Sequence, residues 1–247
     1  LENLTITPPA DSDADFALNV TATSQDGDST ATTSGTINVT VDAVADAPDL
    51  TVADATGNED TAIGLDISSA LTDTDGSEVL SITIGGVPEG AQLSTGTLNL
   101  DGTWTLDPDQ LDGLTVTLAA DSDADFTLSV TATSQDGDST ATTSGTIDVT
   151  VDAVADAPAL TVDSQVTGDQ GEAIALDISS ALTDTDGSEV LSITIGGIPD
   201  GAELSAGTIN DDGSVTLTPD QLDGLTVTPT DGSDVTDFQL TVTATST

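Results

Sequence analysis

The sequence predicts an all-β protein made of tandem antiparallel immunoglobulin-like, or cadherin-like, β-sandwich modules arranged end to end. Three observations predict this class. Short runs alternate apolar residues with Thr or Ser, turns rich in Gly and Asp separate these runs, and the same order of runs recurs after about 110 residues. Period-two alternation is typical of half-buried strands, and about 110 residues is the size of a sandwich domain.

The repeat is nearly identical over long stretches. Residues 11–48 align with residues 121–158 without a gap and differ at three positions, 17, 19 and 38. The linker "VDAVADAP" closes both stretches. If each module ends at this linker, residues 1–46 are the C-terminal part of one module, residues 47–156 are a complete module, and residues 157–247 are a module lacking its last strand. We therefore expect a segment of a longer array, such as a fibre.

The alternation also predicts which side chains face the core. The apolar members of three strand-like runs are predicted to point inward: Leu80, Ile82 and Ile84; Phe126, Leu128 and Val130; Ile147, Val149 and Val151. The one helical signal is "LDPDQLDGL", in which Asp107 caps, Pro108 opens and Gly113 ends a turn. We expect seven to nine short strands per module, about the number in an immunoglobulin-like domain, and no helix longer than about two turns.

Composition excludes several partners. The net charge is −45, and the chain has no Lys, Arg, His or Cys. Nucleic-acid binding needs basic side chains, as does attraction to anionic membranes, and no apolar run is long enough for direct membrane insertion. A disulfide framework is excluded as well. The apolar fraction of 36%, arranged with period two, argues against disorder provided that something offsets the self-repulsion.

Carboxylates are predicted to converge at the module junctions, because alternating strands place every second loop at the same pole. The loop "DSDADF", the linker and the loop "LTDTDGSE" of the next module should then meet. At the first junction the candidates are Asp11, Asp13, Asp15, Asp42, Asp46, Asp73, Asp75 and Glu78. At the second junction they are Glu59, Asp60, Asp121, Asp123, Asp125, Asp152, Asp156, Asp184, Asp186 and Glu189.

So many carboxylates at one joint would repel each other unless a cation bound them. Ca²⁺ takes about six to eight oxygen ligands in a loose geometry that flexible loops can supply, so the sequence predicts Ca²⁺ as the cofactor and a hinge stiffened by metal. The alternative that these aspartates are turn formers and solubilising charge stays open. It is strongest for "SQDGDS", because Asp-Gly is a common hairpin turn.

Four stretches of the chain carry a family resemblance: "LTDTDGSEVLSITIGGVPEGAQLSTG", "DGTWTLDPDQLDGLTVT", "DFTLSVTATSQDGD" and "VDAVADAP". They resemble the tandem repeats of large type I-secreted bacterial adhesins, of the RTX or BapA-like kind. The resemblance implies cell adhesion and biofilm formation, extracellular extender modules at the bacterial cell surface, Ca²⁺ at their junctions, and a receptor bound by other domains. It also implies ligands from "DSDADF", the linker aspartate and "DTD". The third module departs from the pattern, with "GDQGEA" where the second has "NEDTA", so Asp169 or Glu172 would have to substitute there.

The sequence disfavours two other function classes and leaves further explanations open. An enzyme is disfavoured because the usual nucleophiles and bases are missing, although paired carboxylates can hydrolyse glycosides. A carbohydrate-binding module is disfavoured because its aromatics are few, and Trp104 and the Phe residues fall at packing positions. A subunit of a self-assembling extracellular filament or sheath, completed by strand addition, is the main alternative. A halophile's acidic surface is a further explanation of the charge.

Overall fold

A computed structural model describes residues 3–230 and 237–247. The chain divides into two compact units, one of Leu1–Ala119 with Ala124–Val151 and one of Ala120–Asp123 with Asp152–Thr247. The predicted third module includes residues 231–236, which lie outside the described residues. The module boundaries after residues 46 and 156 stay a prediction.

Regular structure in the first unit is almost entirely β. Its strands are β1 (Phe16–Asp26), β2 (Ser29–Val39), β3 (Asp49–Val52), β4 (Ala55–Asn58), β5 (Ile63–Gly64), β6 (Ile67–Ala70), β7 (Val79–Gly85), β8 (Gln92–Leu93), β9 (Thr97–Leu98), β10 (Trp104–Leu106), β11 (Thr115–Thr117), β12 (Phe126–Asp136) and β13 (Ser139–Asp152), with the 3₁₀ helix η1 (Pro108–Gln110).

The described strands of the second unit repeat the order of β3 and of β5 to β12. Its strands are β14 (Ala159–Val162), β15 (Ile174–Ala175), β16 (Ile178–Ala181), β17 (Leu191–Gly196), β18 (Glu203–Leu204), β19 (Thr208–Ile209), β20 (Val215–Leu217), β21 (Thr226–Thr228) and β22 (Thr241–Ser246), with the 3₁₀ helix η2 (Pro219–Gln221). No helix in the described part of the chain is long and apolar enough to cross a membrane.

Strands β3 to β13 form a sandwich around one core. A six-stranded sheet of order β4-β13-β12-β7-β10-β9 packs with a three-stranded sheet of order β5-β11-β8 and the pair β3-β6. In the large sheet β13, β12, β7, β10 and β9 pair antiparallel in that order, as do the three strands of the second sheet and the pair β3-β6. The core residues Ile82, Ile84, Leu128, Val130 and Ile147 are fully buried, and Phe126 packs against them. The predicted inward phases are therefore confirmed.

The strand count is higher than expected, because residues 47–156 form eleven strands rather than seven to nine. Two stretches are each divided where the chain changes its pairing partner. Residues 49–58 form β3, which pairs with β6, and β4, which pairs with β13. Residues 63–70 form β5, which pairs with β11, and β6, which pairs with β3.

Short 3₁₀ turns stand where the helical signal was expected. In the first, the amide of Asp107 donates a hydrogen bond of 2.9 Å to Oε1 of Gln110, and Gly113 adopts a φ of 70°. Thr218 and Gln221 make the same contact in η2, also at 2.9 Å. The prediction of no helix longer than about two turns is confirmed for the described residues, since both helices have three residues.

Candidate metal centres

The loop between β6 and β7 is folded by its own aspartates. Oδ1 of Asp73 accepts a hydrogen bond from the amide of Asp75 at 2.7 Å. Oδ1 of Asp75 accepts bonds from the hydroxyl and the amide of Ser77, at 2.7 and 2.8 Å, and these bonds lower the pKa of Asp75. Such Asx turns need a short carboxylate two residues before the donor. The loop therefore keeps Asp73 buried, with 3% of its surface exposed.

The linker before β3 is tied to this loop and to the hairpin β12-β13. The amide of Asp46 donates to Oε1 of Glu78 at 2.6 Å, and the hydroxyl of Thr72 donates to the carbonyl of Ala47 at 3.1 Å. One residue earlier, the amide of Ala45 donates to the hydroxyl of Ser139 at 3.0 Å. These bonds bring the linker aspartate to the acidic loop.

Three carboxylates of the first unit meet here and form what we call the first cluster: Asp46, Asp73 and Glu78. Each offers one oxygen, and these oxygens lie within 4.8 Å of one another. Glu78 is only 8% exposed, and its Oε2 is buried with no hydrogen-bond partner. Buried charge is costly without a counter-charge, and the sequence contains no Lys, Arg or His to supply one. An all-oxygen set with an orphaned carboxylate oxygen fits a hard divalent cation such as Ca²⁺.

A fourth carboxylate was missed by sequence reasoning. Asp136 ends β12 and is only 4% exposed. Burial raises its pKa, and the negative charges of Asp13, Glu78 and Asp75 raise it further. For "SQDGDS" the sequence left the alternative of a hairpin turn open, and Asp136 was not among the candidate ligands. The available signal was its phase, since Asp136 continues the inward series of β12 that contains Val130.

An open cleft of about 330 Å³ adjoins the first cluster. Its walls come from the N-terminal segment, the linker and the ends of two loops. The acidic residues that line it are Asp11, Asp13, Asp42, Asp46, Asp73 and Asp136. The structure thus gathers Asp11, Asp13 and Asp42 around the same space as the first cluster.

The second unit repeats the local arrangement. The amide of Asp156 donates to Oε1 of Glu189 at 2.5 Å, and Oε2 of Glu189 is buried with no hydrogen-bond partner. Asp184, which is 1% exposed, accepts from the amide of Asp186 at 2.8 Å. The pKa of Asp186 is lowered, chiefly by the hydrogen bond that the amide of Ser188 donates to its Oδ1 at 2.8 Å.

The other candidates occupy different local settings. Asp15 and Asp125 accept hydrogen bonds from the amides of Val41 and Val151, at 2.9 and 2.8 Å, and so hold the strand ends.

Glu59 is buried, with 2% of its surface exposed. Asp60 and Asp121 adopt left-handed backbone conformations, with φ of 56° and 58°. Asp152 is exposed at the end of β13. In the third module the amide of Glu172 donates to the carbonyl of Asp169 at 3.2 Å. The predicted ligand roles of all these residues stay a prediction.

Fold and strand pairing define this chain as an all-β protein of immunoglobulin-like antiparallel sandwich modules. No family model matches it, and no curated protein matches it. Among solved structures, it is similar to the EC1–4 repeats of Drosophila N-cadherin, with 16% identity over 94% of this chain and 55% of that one, at a TM-score of 0.30. It is also similar to a chimeric titin Z1Z2 tandem, with 14% identity over 80% of this chain and 91% of that one, at a TM-score of 0.25.

An endo-fucoidan hydrolase of glycoside hydrolase family 107 is a further match, with 20% identity over 96% of this chain and 34% of that one, at a TM-score of 0.25. The chain thus spans about half of the cadherin structure and about a third of the hydrolase. At these TM-scores the likeness adds nothing to the fold described above.

Proposed function

We propose that this chain is a structural extender segment of a secreted bacterial surface adhesin, stiffened by Ca²⁺ that its linker and loop carboxylates bind. One observation carries the proposal. Oε2 of Glu78 is buried without a hydrogen-bond partner beside Asp46 and Asp73, in a chain with no cationic side chain. A bound divalent cation would satisfy this oxygen and offset the repulsion among the three carboxylates.

In the first unit the ligands would come from the first cluster, with Asp136 and Asp13 beside it. Because Asp46 lies in the linker while Asp73 and Glu78 lie in the loop after β6, a shared cation would join the two segments. Ca²⁺ supplies positive charge and a flexible coordination shell, and it drives no chemical step. In the second unit Asp156, Asp184 and Glu189 would act in the same way, because the hydrogen bonds around them repeat those of the first unit.

The cellular setting follows from the chemistry and from the resemblance of the motifs. Extracellular Ca²⁺ modules bind in the range of about 10⁻⁴ to 10⁻³ M, so they are loaded outside the cell. We propose that the partners are neighbouring modules of the same chain or fibre, and that domains outside this segment bind the adhesive receptor.

We also propose that the chain has no enzymatic role. Trp104 packs against the core rather than standing free as a sugar-stacking platform.

Isothermal titration calorimetry tests the metal sites directly. Glu78→Gln together with Glu189→Gln removes the charge of the two glutamates whose Oε2 is buried, while Glu89→Gln with Asp200→Asn changes two exposed carboxylates as a matched control. We expect Ca²⁺ binding with a Kd of about 10⁻⁴ to 10⁻³ M in the wild type and the control, and at least about tenfold weaker binding in the double Gln variant. Equal affinity in all three proteins would contradict the proposed sites.

A further inference from the structure

The hairpins β1-β2 and β12-β13 differ on one face only. Residues 11–48 and residues 121–158 differ at three positions, where the first stretch has Ala17, Asn19 and Asn38 and the second has Thr127, Ser129 and Asp148. Ala17 lies directly opposite Asn38 in the β1-β2 pair, and Asn19 follows two residues after Ala17. Opposite residues of an antiparallel pair share a face, as do residues two apart along a strand. All three differences therefore lie together on one face of the hairpin.

This face is the outer, solvent-facing side of the sheet. In the second hairpin, β12 is flanked by β7 as well as by β13, and β13 is flanked by β4 as well as by β12. Ser129 and Asp148 are nevertheless exposed there, while Leu128, on the other face, is fully buried. Asn19 and Asn38 are exposed too. Exposure at these two positions therefore comes from the face they occupy and does not depend on which strands flank the hairpin.

Two of the three differences complete an Asn-x-Thr triplet. Residues 19–21 read Asn-Val-Thr, and residues 38–40 read the same. The second hairpin has the same Val and Thr residues in these places but begins the triplets with Ser and Asp. Asn-x-Ser/Thr, with x other than Pro, is the surface acceptor sequence for asparagine-linked glycans in secreted proteins. Asn is also depleted in strands, so strand geometry gives no reason for either asparagine.

A third triplet, residues 3–5, has a structural explanation instead. Asn3 adopts a left-handed backbone conformation with a φ of 62°, and the aligned residues of the two later copies are Gly113 and Gly224, with φ of 70° and 67°. Gly adopts this conformation freely, and Asn adopts it more readily than most other residues. Asn3 is thus accounted for by its turn, whereas Asn19 and Asn38 lie in regular strands.

The remaining difference removes a side-chain contact from Asn38. In the second hairpin the hydroxyl of Thr127 donates a hydrogen bond of 2.8 Å to Oδ1 of Asp148. Ala17 stands in the place of Thr127 and has no hydroxyl, so it cannot make this bond to Asn38. The side chain of Asn38 is therefore not tied to the opposite strand as its counterpart is.

At Asn19 the side-chain oxygen is held rather than the nitrogen. The hydroxyl of Thr36 donates to Oδ1 of Asn19 at 3.1 Å. This bond does not involve Nδ2, which is the atom that carries an asparagine-linked glycan.

The outer face around both asparagines is uncharged. Its other members are Ala, Thr, Ser and Gln residues, and Asn38 stands where the second hairpin has the charge of Asp148. In a chain with a net charge of −45, this neutral and hydroxyl-rich face is one that a carbohydrate can cover through hydrogen bonds.

We propose that Asn19 and Asn38 are acceptor sites for asparagine-linked glycans, which cover the outer face of the hairpin β1-β2. The donor is a sugar activated as a diphosphate ester, and a glycosyltransferase of the producing cell catalyses the transfer. Nδ2 bonds to C1 of the sugar while the bond from C1 to the diphosphate oxygen breaks. The diphosphate leaves with the electron pair, and Nδ2 loses one proton to a base of the transferase. Both sites lie outside the linker and the loop after β6, so they do not depend on the proposed Ca²⁺ function.

Peptide mass spectrometry on the full chain, isolated from the cells that produce it, tests both sites. The chain has no Lys or Arg, so a protease that cuts before aspartate replaces trypsin. It releases residues 15–25 and residues 28–41, which each contain one of the two asparagines. We expect both peptides to carry the added mass of a sugar, located on the asparagine by electron-transfer fragmentation. Asn58, Asn99 and Asn210 are not followed by an x-Ser/Thr pair and should be unmodified.

Variants of the triplet hydroxyls separate recognition by a transferase from the exposure of the amide alone. Thr21→Ala and Thr40→Ala keep both asparagines, and each should abolish the added mass only at the asparagine two residues before it, whereas Thr21→Ser should retain it. Thr32→Ala, on the same face and outside both triplets, is the control and should carry both glycans. Unmodified masses for both wild-type peptides would overturn the proposal, and so would an added mass on Asn19 that survives Thr21→Ala.

Discussion

The backbone amide of Asp46 donates a hydrogen bond of 2.6 Å to Oε1 of Glu78, 32 residues further along the chain. Asp156 and Glu189 repeat this bond at 2.5 Å in the second unit. In both glutamates the other carboxylate oxygen is buried without a hydrogen-bond partner. The linker therefore holds one oxygen of each glutamate in place, and the second oxygen is left as a fixed ligand donor.

Removing the buried charge of Glu78 should stabilise the metal-free protein and abolish its response to Ca²⁺ at the first cluster. In Glu78→Gln the amide oxygen can still accept from Asp46, while the uncompensated charge is gone. We expect an increase of roughly 1 to 3 kcal/mol in the free energy of unfolding of the first unit in EDTA. Urea titration followed by Trp104 fluorescence measures it, because Trp104 packs against the core of that unit.

Glu89→Gln is the control for that experiment, because Glu89 is exposed and lies outside the cluster. It should leave the unfolding midpoint unchanged in EDTA and in Ca²⁺. A Glu78→Gln variant that is destabilised in EDTA and still responds to Ca²⁺ as the wild type does would show that Glu78 is a structural hydrogen-bond acceptor only.

Ca²⁺ should raise the melting temperature far more than NaCl of equal ionic strength. NaCl only screens the carboxylates, whereas an ion bound by the folded state alone stabilises it by mass action, by about 2.7 kcal/mol when its concentration is 100 times the Kd. Differential scanning calorimetry in EDTA, in CaCl₂ and in matched NaCl measures the difference. Equal shifts of the melting temperature in the two salts would contradict stabilisation by bound Ca²⁺ and would favour the alternative of a halophile's acidic surface.

The sequence predicts the fold better than the site, for physical reasons visible in particular residues. Alternation placed Leu128 and Val130 inward because a strand's side chains change face at every residue. It did not predict that residues 63–70 divide into β5 and β6, because a change of sheet partner depends on the packing of other strands. Asp136 was missed because Asp-Gly is sufficient to explain a turn, and its burial comes from the N-terminal segment and the linker around it.

The pH dependence of metal-free stability should change in opposite directions at two aspartates. Burial raises the pKa of Asp136 above 3.8. The contribution of this carboxyl group to folding stability is therefore fully present below pH 3.8 and is lost as the pH rises through the raised pKa. A hydrogen bond from the hydroxyl of Thr103 lowers the pKa of Asp101, so its contribution is present above pH 3.8 and is lost as the pH falls through the lowered value.

In EDTA at neutral pH, Asp136→Asn should therefore be more stable than the wild type, and Asp101→Asn should be less stable. Both differences should shrink as the pH falls through the respective folded-state pKa values. Urea midpoints at several pH values between 3 and 7 measure this, over a range that spans the ordinary pKa of about 3.9. If Asp136→Asn were less stable than the wild type at neutral pH, as Asp101→Asn is expected to be, the burial of Asp136 would carry no electrostatic cost.

Asp156→Ala combined with Asp186→Ala should loosen the second linker in Ca²⁺ without unfolding the units. Neither residue belongs to the apolar core of the second unit, and both lie in the segments that the hydrogen bonds of Glu189 and Asp184 join. Loss of two carboxylates should leave too few oxygens to hold Ca²⁺, which takes roughly six to eight. Small-angle scattering in millimolar Ca²⁺ should then give a shorter maximum dimension for the variant, while circular dichroism stays unchanged.

Asp200→Ala with Asp220→Ala, at two exposed positions, is the control and should scatter as the wild type does. If the variant and the wild type scatter identically in Ca²⁺ and in EDTA, Asp156 and Asp186 are turn formers, and the stiffness of the segment does not come from metal at that linker.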